Sequence, residues 1–330
     1  MNILNSKNKS STIFNQRILI LVIMIGVLVF FVSLGAPQFI SERTFTNLVN
    51  NMSILAIVAL GQMIVMITAG IDISVGTAMG LVAMSVGLIL IEYPDLHPIL
   101  AILIGMILGT IMGFINGVLV VKGKIVALIA TLATMNIFRG INVLINNLYY
   151  EGQYIGANKL SAEFKAITKV EIIGLPVMLY YVLFLYIVFY FILHHSRFGR
   201  QIYAVGSNLE AAKTIGINTN KILIATYSLC GLMFGIAGVL YLSLYTSAQT
   251  DTGLGFEFIA ITAVIIGGVS VFGGSGILWA VLLGTLFMTI ITDSLNILRI
   301  SPFWKMAING FMLLSAILIN HYLEARKKTK

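Results

Sequence analysis

The sequence predicts an all-α integral membrane protein with about ten transmembrane helices, arranged in two related five-helix halves with both termini in the cytoplasm. Hydrophobic residues make up 59% of the 330 residues and charged residues only 10%, with a mean hydropathy of +1.01. Soluble domains average about 25% charged residues, so a chain this apolar requires lipid as its solvent. The net charge of +8 lies in short loops between apolar runs, a pattern that favours membrane orientation over binding to nucleic acid.

The apolar runs define the predicted elements, because a spanning helix needs about 20 mostly apolar residues. The first run exceeds the apolar core of a usual signal peptide and is predicted to be a retained span behind a cytoplasmic tail, residues 1–17. A second basic tail covers 323–330, so the permeation domain is expected within 18–322. The ten predicted spans are 18–35, 48–69, 74–91, 98–121, 125–146, 176–194, 221–245, 257–271, 275–292 and 303–322.

Basic residues predict the orientation of the spans. With the N-terminus in the cytoplasm, thirteen of the twenty Lys and Arg residues fall inside, including those of the loop 195–220 and the C-terminal tail. The longest outside loop is then 147–175. The expected location is the cytoplasmic membrane, with multiple passes.

A stripe of glycines predicts one close helix contact. Four glycines recur every four residues in the fourth span, and "CGLMFGIAG" supplies two more in the seventh. Residues four apart share a helix face, and small residues let backbones approach closely. The expected partner is another helix of the same bundle, with a subunit interface as the alternative. The glycines are Gly105, Gly109, Gly113, Gly117, Gly231 and Gly235.

Two glycine-rich breaks, 69–82 and 267–281, interrupt apolar segments in corresponding places of the two halves. Paired interruptions of this kind indicate an internal repeat in a transporter, and the breaks are either packed structure or pathway lining. Asp72 is expected to cap a helix, to form an ion pair, or to contact substrate or a coupling ion. Asn136 and Arg139 in the fifth span are further polar candidates. The candidate residues of the breaks are Asp72, Ser74, Gly76, Ser270, Gly273 and Gly274.

No motif for catalysis or metal binding is present. The sequence contains no G-x-x-x-x-G-K-[ST] phosphate loop, no H-E-x-x-H and no G-x-S-x-G. The single cysteine, Cys230, excludes an internal disulfide. We therefore expect a transport protein that is not an enzyme, holds no metal or cofactor, and takes its energy from ions, gradients or a partner.

The stretch "VGSNLEAAKTIGIN", 205–218, is polar and predicts a short helix in water. Ser207 and Glu210 fit a capping box, in which the serine accepts from the N–H of Glu210. Gly216 predicts a left-handed stop. Leu209, Ala212 and Ile215 are expected to share a face. A helix this short must rest on its own bundle or on another protein.

This loop resembles the cytoplasmic loop of ATP-binding-cassette importer permeases, with Glu210, Ala211, Ala212 and Gly216 in the EAA---G positions. Further segments, in order along the chain, are similar to the ribose, xylose, arabinose, galactoside, rhamnose and autoinducer-2 permease family. The resemblance covers roughly 18–322. Its segments are "GIDISVG", "IATLATMNIFRGI", "FGRQIYAVGSN" and "IIGGVSVFGGSG".

The resemblance implies a mechanism and a set of partners. Two like permease subunits, either a homodimer or a pair of paralogues, would form the membrane part. Two cytoplasmic ATPases would grip the loop helices, with ATP and Mg bound to those partners, and an extracytoplasmic binding protein would deliver a sugar or sugar-like solute. The alternatives are an ion-coupled secondary transporter or channel, which predicts an essential Asp72, and a membrane enzyme, for which no catalytic cluster is present.

Overall fold

The computed structural model describes residues 2–328, and the side chains of residues 18–322. The side chains of the two predicted tails, 1–17 and 323–330, lie outside this described part. The helices are α1 (Asn2–Gly35), α2 (Glu42–Ile67), α3 (Val75–Glu92), α4 (Pro98–Val121), α5 (Ala127–Tyr150), α6 (Ala162–Lys169), α7 (Val177–His195), α8 (Arg197–Ser207), α9 (Leu209–Thr214), α10 (Thr219–Tyr245), α11 (Phe256–Ile266), α12 (Leu278–Ile297) and α13 (Pro302–Lys328).

Nine helices within the described residues are long and apolar enough to cross a membrane. The predicted span 257–271 is shorter than expected: α11 has 11 residues and ends at Ile266, where Gly267 caps it and Gly268 adopts a positive φ of 82°. At 1.5 Å per residue α11 is roughly 17 Å long, about half of a hydrocarbon core. The other predicted spans coincide with helices. Their ends differ by up to six residues, except that α1 begins 16 residues before the first predicted span.

Helix α2 forms the centre of the bundle. Its residues from Met52 to Ile67 are all buried, and it contacts α7, α10, α11 and α12. Helices α1 and α13 lie at the periphery and expose most of their apolar side chains. Exposed apolar side chains at the periphery are expected of a chain whose solvent is lipid.

The glycine stripe of α4 packs against α10 within the same chain, which confirms the predicted helix contact. A Cβ added at Gly109 would overlap the carbonyl oxygen of Gly231, and one added at Gly235 would overlap that of Gly105. The two backbones therefore touch directly, as small residues permit in membranes.

The loop 147–175 is folded onto the end of α10. Helix α6 buries Phe164 completely, and the Ser243 hydroxyl of α10 donates to the Phe164 carbonyl at 2.8 Å. A two-residue antiparallel pair, β1 (Glu171–Ile172) and β2 (Leu175–Pro176), leads into α7. This loop lies at the end of the bundle opposite the loop 195–220, since α10 begins at Thr219 and Ser243 is near its other end.

Candidate coupling surface and transport pathway

The short helix α9 begins one residue later than the predicted capping box requires. Asn208 is the N-cap, and its side chain accepts from the Ala211 N–H at 2.9 Å. Ser207 still belongs to α8, so its hydroxyl donates to the Tyr203 carbonyl of the preceding turn at 2.9 Å. The capping box between Ser207 and Glu210 is therefore wrong, because Asn208 is the first residue with extended backbone.

Helix α9 displays its acidic and small residues to the outside. Glu210 is exposed and pairs with Lys213 at 2.8 Å, and Ala211 is exposed beside it. Ala212 is buried against the bundle, whereas Ile215 is 73% exposed. The predicted common face of Leu209, Ala212 and Ile215 is wrong, because Ile215 follows the helix at its C-cap and turns outward.

Gly216 ends this surface in a left-handed conformation with φ of 82° and no atom within 4 Å of an added Cβ. Residues 209–216 therefore form a small exposed surface in which only Ala212 is buried. We call it the coupling surface.

Helix α8, which immediately precedes the coupling surface, contacts the end of α2 and the second glycine-rich break at one place. The Gly274 N–H donates to the Ile67 carbonyl at 2.8 Å, and a Cβ added at Gly206 would overlap that same carbonyl. Tyr203 of α8 donates to the Gly276 carbonyl at 3.1 Å. We call this contact of α8, the end of α2 and the loop 267–277 the break junction. A Cβ added at Gly273 would lie 2.9 Å from the Ala69 nitrogen, so the two predicted breaks meet directly beside α8.

Within the first break, Asp72 lies in a buried polar network. Its Oδ1 accepts from the Ser74 N–H at 2.9 Å and from the Ser74 hydroxyl at 2.7 Å. The Asn116 amide of α4 donates to Asp72 Oδ2 at 3.1 Å and to the Ser74 Oγ at 2.8 Å. All three residues are fully buried. Asp72 thus holds Ser74, the residue that precedes α3, and ties it to α4.

The backbone of this break is also satisfied by side chains. Thr131 of α5 accepts from the Ile73 N–H at 3.1 Å. The Gln62 amide, oriented to suit both groups, donates to the Asp72 carbonyl at 3.0 Å and accepts from its N–H at 3.3 Å. Non-helical backbone at membrane depth requires such partners. Gln62 lies five residues, or roughly 7 Å, before the end of α2. Because Asp72 is hydrogen-bonded to Gln62, the chain after α2 turns back into the bundle by about that distance.

A second non-helical segment covers residues 246–255, between the predicted spans 221–245 and 257–271. A Cβ on Gly80 would overlap the Thr252 carbonyl, and one on Gly76 would overlap the Gly253 carbonyl. Gly238 of α10 contacts this part of α3 and lies seven residues before Tyr245, the last residue of α10. Seven residues span roughly 10 Å, so the segment that follows Tyr245 enters the bundle by about that distance. Helices α3 and α11 consequently begin next to each other inside the bundle. The polar run "TSAQTDTGLG" between apolar helices was the available signal.

The fifth-span candidates lie on the exposed side of α5. Asn136 donates to the Leu132 carbonyl at 2.9 Å, within its own helix. Arg139 lies next to Thr250 and Asp251 of the segment 246–255. Neither residue contacts Asp72, whose network lies on the buried side of α5 through Thr131.

The second break places its candidates differently. Ser270 is buried and accepts from the Phe272 N–H at 3.2 Å, while Gly273 and Gly274 take positive φ at the break junction. Gly76 lies at the start of α3 against Glu257 of α11.

Known proteins resemble the chain over nearly its whole length. The ribose import permease protein RbsC of Bacillus subtilis is 36% identical over 294 residues, which cover 89% of each chain. RbsC of Escherichia coli K12 is 33% identical over 298 residues, or 89% of this chain and 91% of the relative. The autoinducer 2 import system permease protein LsrC of Salmonella typhi is 36% identical over 300 residues, or 90% and 84%. No solved structure matches the chain.

The sequence model of one family, described as branched-chain amino acid transport system / permease component, matches residues 44–317. The match covers the break junction, the coupling surface and the segment 246–255. The chain therefore belongs to the branched-chain amino acid transport system / permease component family, and it is a multi-pass membrane permease subunit rather than an enzyme.

Proposed function

We propose that this chain is the membrane-spanning subunit of an ATP-driven, binding-protein-dependent importer for a monosaccharide or sugar-like solute. The exposed coupling surface, linked through α8 to both breaks at the break junction, carries the proposal. The relatives' names supply the solute class, since they denote ribose and autoinducer 2 import rather than amino acid transport. ATP and Mg bind two partner ATPase subunits, and this chain binds no cofactor.

The proposed mechanism follows from the contacts of α8. An ATPase that moves the coupling surface also moves Tyr203 and Gly206, which contact the loop 267–277 and the end of α2. These two breaks precede α12 and α3, so a displacement of α8 reaches both halves of the bundle at once. No phosphate loop is needed in this chain, because the partner supplies the ATP chemistry.

A second permease subunit completes the pathway in this proposal. Arg139 and Asn136 are exposed in the single chain, yet a charged side chain facing lipid at a helix centre costs roughly 2.5–3.5 kcal/mol on insertion scales. A facing subunit, identical or paralogous, would cover this side of α5 and enclose a polar path. An extracytoplasmic binding protein would load that path, with both termini of this chain in the cytoplasm.

Charge reversal on the coupling surface tests the proposal. We expect Glu210→Lys to abolish solute-stimulated ATP hydrolysis and to weaken co-purification of the ATPase in mild detergent. The exposed pair with Lys213 contributes less than about 1 kcal/mol, so the variant stays folded. Glu163→Lys, an exposed glutamate in the first turn of α6, is the matched control. Unchanged coupling in Glu210→Lys would remove the role of this surface.

A further inference from the structure

A polar cavity of about 320 Å³ lies at the end of the bundle that is opposite the coupling surface. Its lining includes Asn51 of α2, which is 16 residues from Ile67 and thus roughly 24 Å along the helix from the break junction. The other polar lining residues are Thr44, Asn47, Tyr245, Asp293 and Asn296. The volume is within the range of small-molecule sites.

The carboxylate of Asp293 has acceptor capacity that the protein does not use. Asp293 is 8% exposed, and the Asn51 Nδ2 donates to its two oxygens at 3.0 and 3.1 Å. No cation pairs with it among residues 18–322. An ionised carboxylate offers about four acceptor sites. A buried carboxylate with one amide partner, on the wall of a cavity, therefore favours a ligand that brings its own O–H or N–H donors.

The surrounding groups favour a neutral ligand with several hydroxyls. The Tyr245 hydroxyl donates to the Asn51 Oδ1 at 2.6 Å, which turns the amide donor of Asn51 toward Asp293. The Lys305 ammonium donates to the Asn296 Oδ1, so this cation is engaged at the rim. Tyr245 lines the cavity, is 44% exposed, and is supported from behind by Tyr241, whose ring lies 4.4 Å away; Tyr245 therefore provides an aromatic wall. Aromatic walls with a few polar groups are typical of small-molecule sites.

We infer that Asp293, Asn51 and Tyr245 form a hydroxyl-binding site for a cyclic polyol, in which the carboxylate of Asp293 accepts hydrogen bonds from two adjacent hydroxyls. This inference rests on the proposed function for its solute class. It places the site where a solute would enter the permease, at the opposite end from the ATPase contact.

The test removes hydroxyls from the ligand and the carboxylate from the protein. Direct binding of radiolabelled ribose to the purified permease–ATPase complex is measured without binding protein, in competition with 2-deoxyribose and 3-deoxyribose. Hydrogen bonds to a charged acceptor predict that each deoxy sugar binds the native complex about tenfold more weakly than ribose. In Asp293→Ala this ratio falls to about one. Asp95→Asn, at an exposed loop carboxylate, leaves the ratio unchanged.

A purely structural role for Asp293 would weaken all three sugars equally and leave the ratio intact, which overturns the inference. Asp293→Asn, which keeps the shape and the Asn51 contact, provides a second variant if the alanine protein fails to fold, and its ratio is expected to fall at least threefold. Absence of ribose binding to the native complex also overturns the site. ATP-driven sugar uptake by the native importer is measured in parallel. Absence of this uptake would refute the proposed function, whereas uptake without ribose binding to the native complex would refute only the site.

Discussion

Replacing Asp72 by alanine and by asparagine separates the packing role of this carboxylate from a role of its charge in transport. In Asp72→Ala three buried donors lose their acceptor: the Ser74 N–H, the Ser74 hydroxyl and one amide N–H of Asn116. An orphaned buried donor costs about 1–3 kcal/mol, so the loss is about 3–9 kcal/mol. At about 2 °C per kcal/mol for a large domain, the unfolding midpoint falls by roughly 6–18 °C.

Asp72→Asn is expected to be mild. Its Oδ1 still accepts from the Ser74 N–H, and its amide can donate to the Oδ1 of Asn116, which has no partner among the described residues. The Asn116 amide must then rotate and gives up one hydrogen bond, a loss of about 1 kcal/mol or roughly 2 °C. The exchanged pair Asp72→Asn with Asn116→Asp returns a carboxylate to the network and is expected to match the native midpoint.

The assay is thermal unfolding of the purified subunit in detergent, followed by ATP-driven uptake in liposomes with the partner subunits. We expect Asp72→Asn to keep most uptake and Asp72→Ala to lose it together with stability. A stable Asp72→Asn protein without uptake would refute this reasoning. It would show that the charge itself serves transport, as an ion-coupled transporter requires. A native midpoint in Asp72→Ala would remove the stabilising role of the network.

Two further substitutions test other contacts of the fold, beside those given for Glu210 and Asp293. Asn208→Ala removes the cap of α9 and is expected to raise amide exchange over 209–214 about fivefold, for a loss of about 1 kcal/mol, whereas Ser207→Ala leaves exchange unchanged; the reverse order would restore the capping box. Gly109→Leu forces α4 away from α10 and is expected to lower the free energy of unfolding by about 1–3 kcal/mol, measured by thermal unfolding. Gly26→Leu, which meets no atom within 4 Å, is its control, and equal stability of the two variants would contradict the backbone contact.

Much of the fold could be predicted because it depends on local sequence. Apolar runs predicted the spanning helices, and the four-residue spacing of Gly105, Gly109 and Gly113 predicted a close contact with another helix, since periodicity reports which residues share a face. That the partner is α10 is known only from the structure. The length of α11 could not be predicted, because an apolar run continues through Gly267 and Gly268 and hydropathy does not register their conformation. The helix ends also depend on which backbone groups find partners in neighbouring helices.

The candidate site was predictable only in part, because it depends on contacts between distant residues. The sequence singled out Asp72, yet Asn116 and Gln62 complete its surroundings from two other helices. The loop 195–220 was recognisable from its polarity. The cap of α9 was assigned one residue too early, since Ser207 and Asn208 are both good caps and only the end of α8 decides between them. Asp293 has no sequence neighbour that indicates Asn51 or Tyr245.

The segment 246–255 has a consequence for the order in which the chain assembles. Its backbone enters the bundle beside Gly76 and Gly80, residues of the first half. Lipid offers no hydrogen-bond partners to such a segment. Because residues 75–92 are synthesised before residues 246–255, α3 is available to receive this segment when it emerges. We therefore expect a fragment that begins at α10 to leave the backbone of 246–255 without its contacts at Gly76 and Gly80.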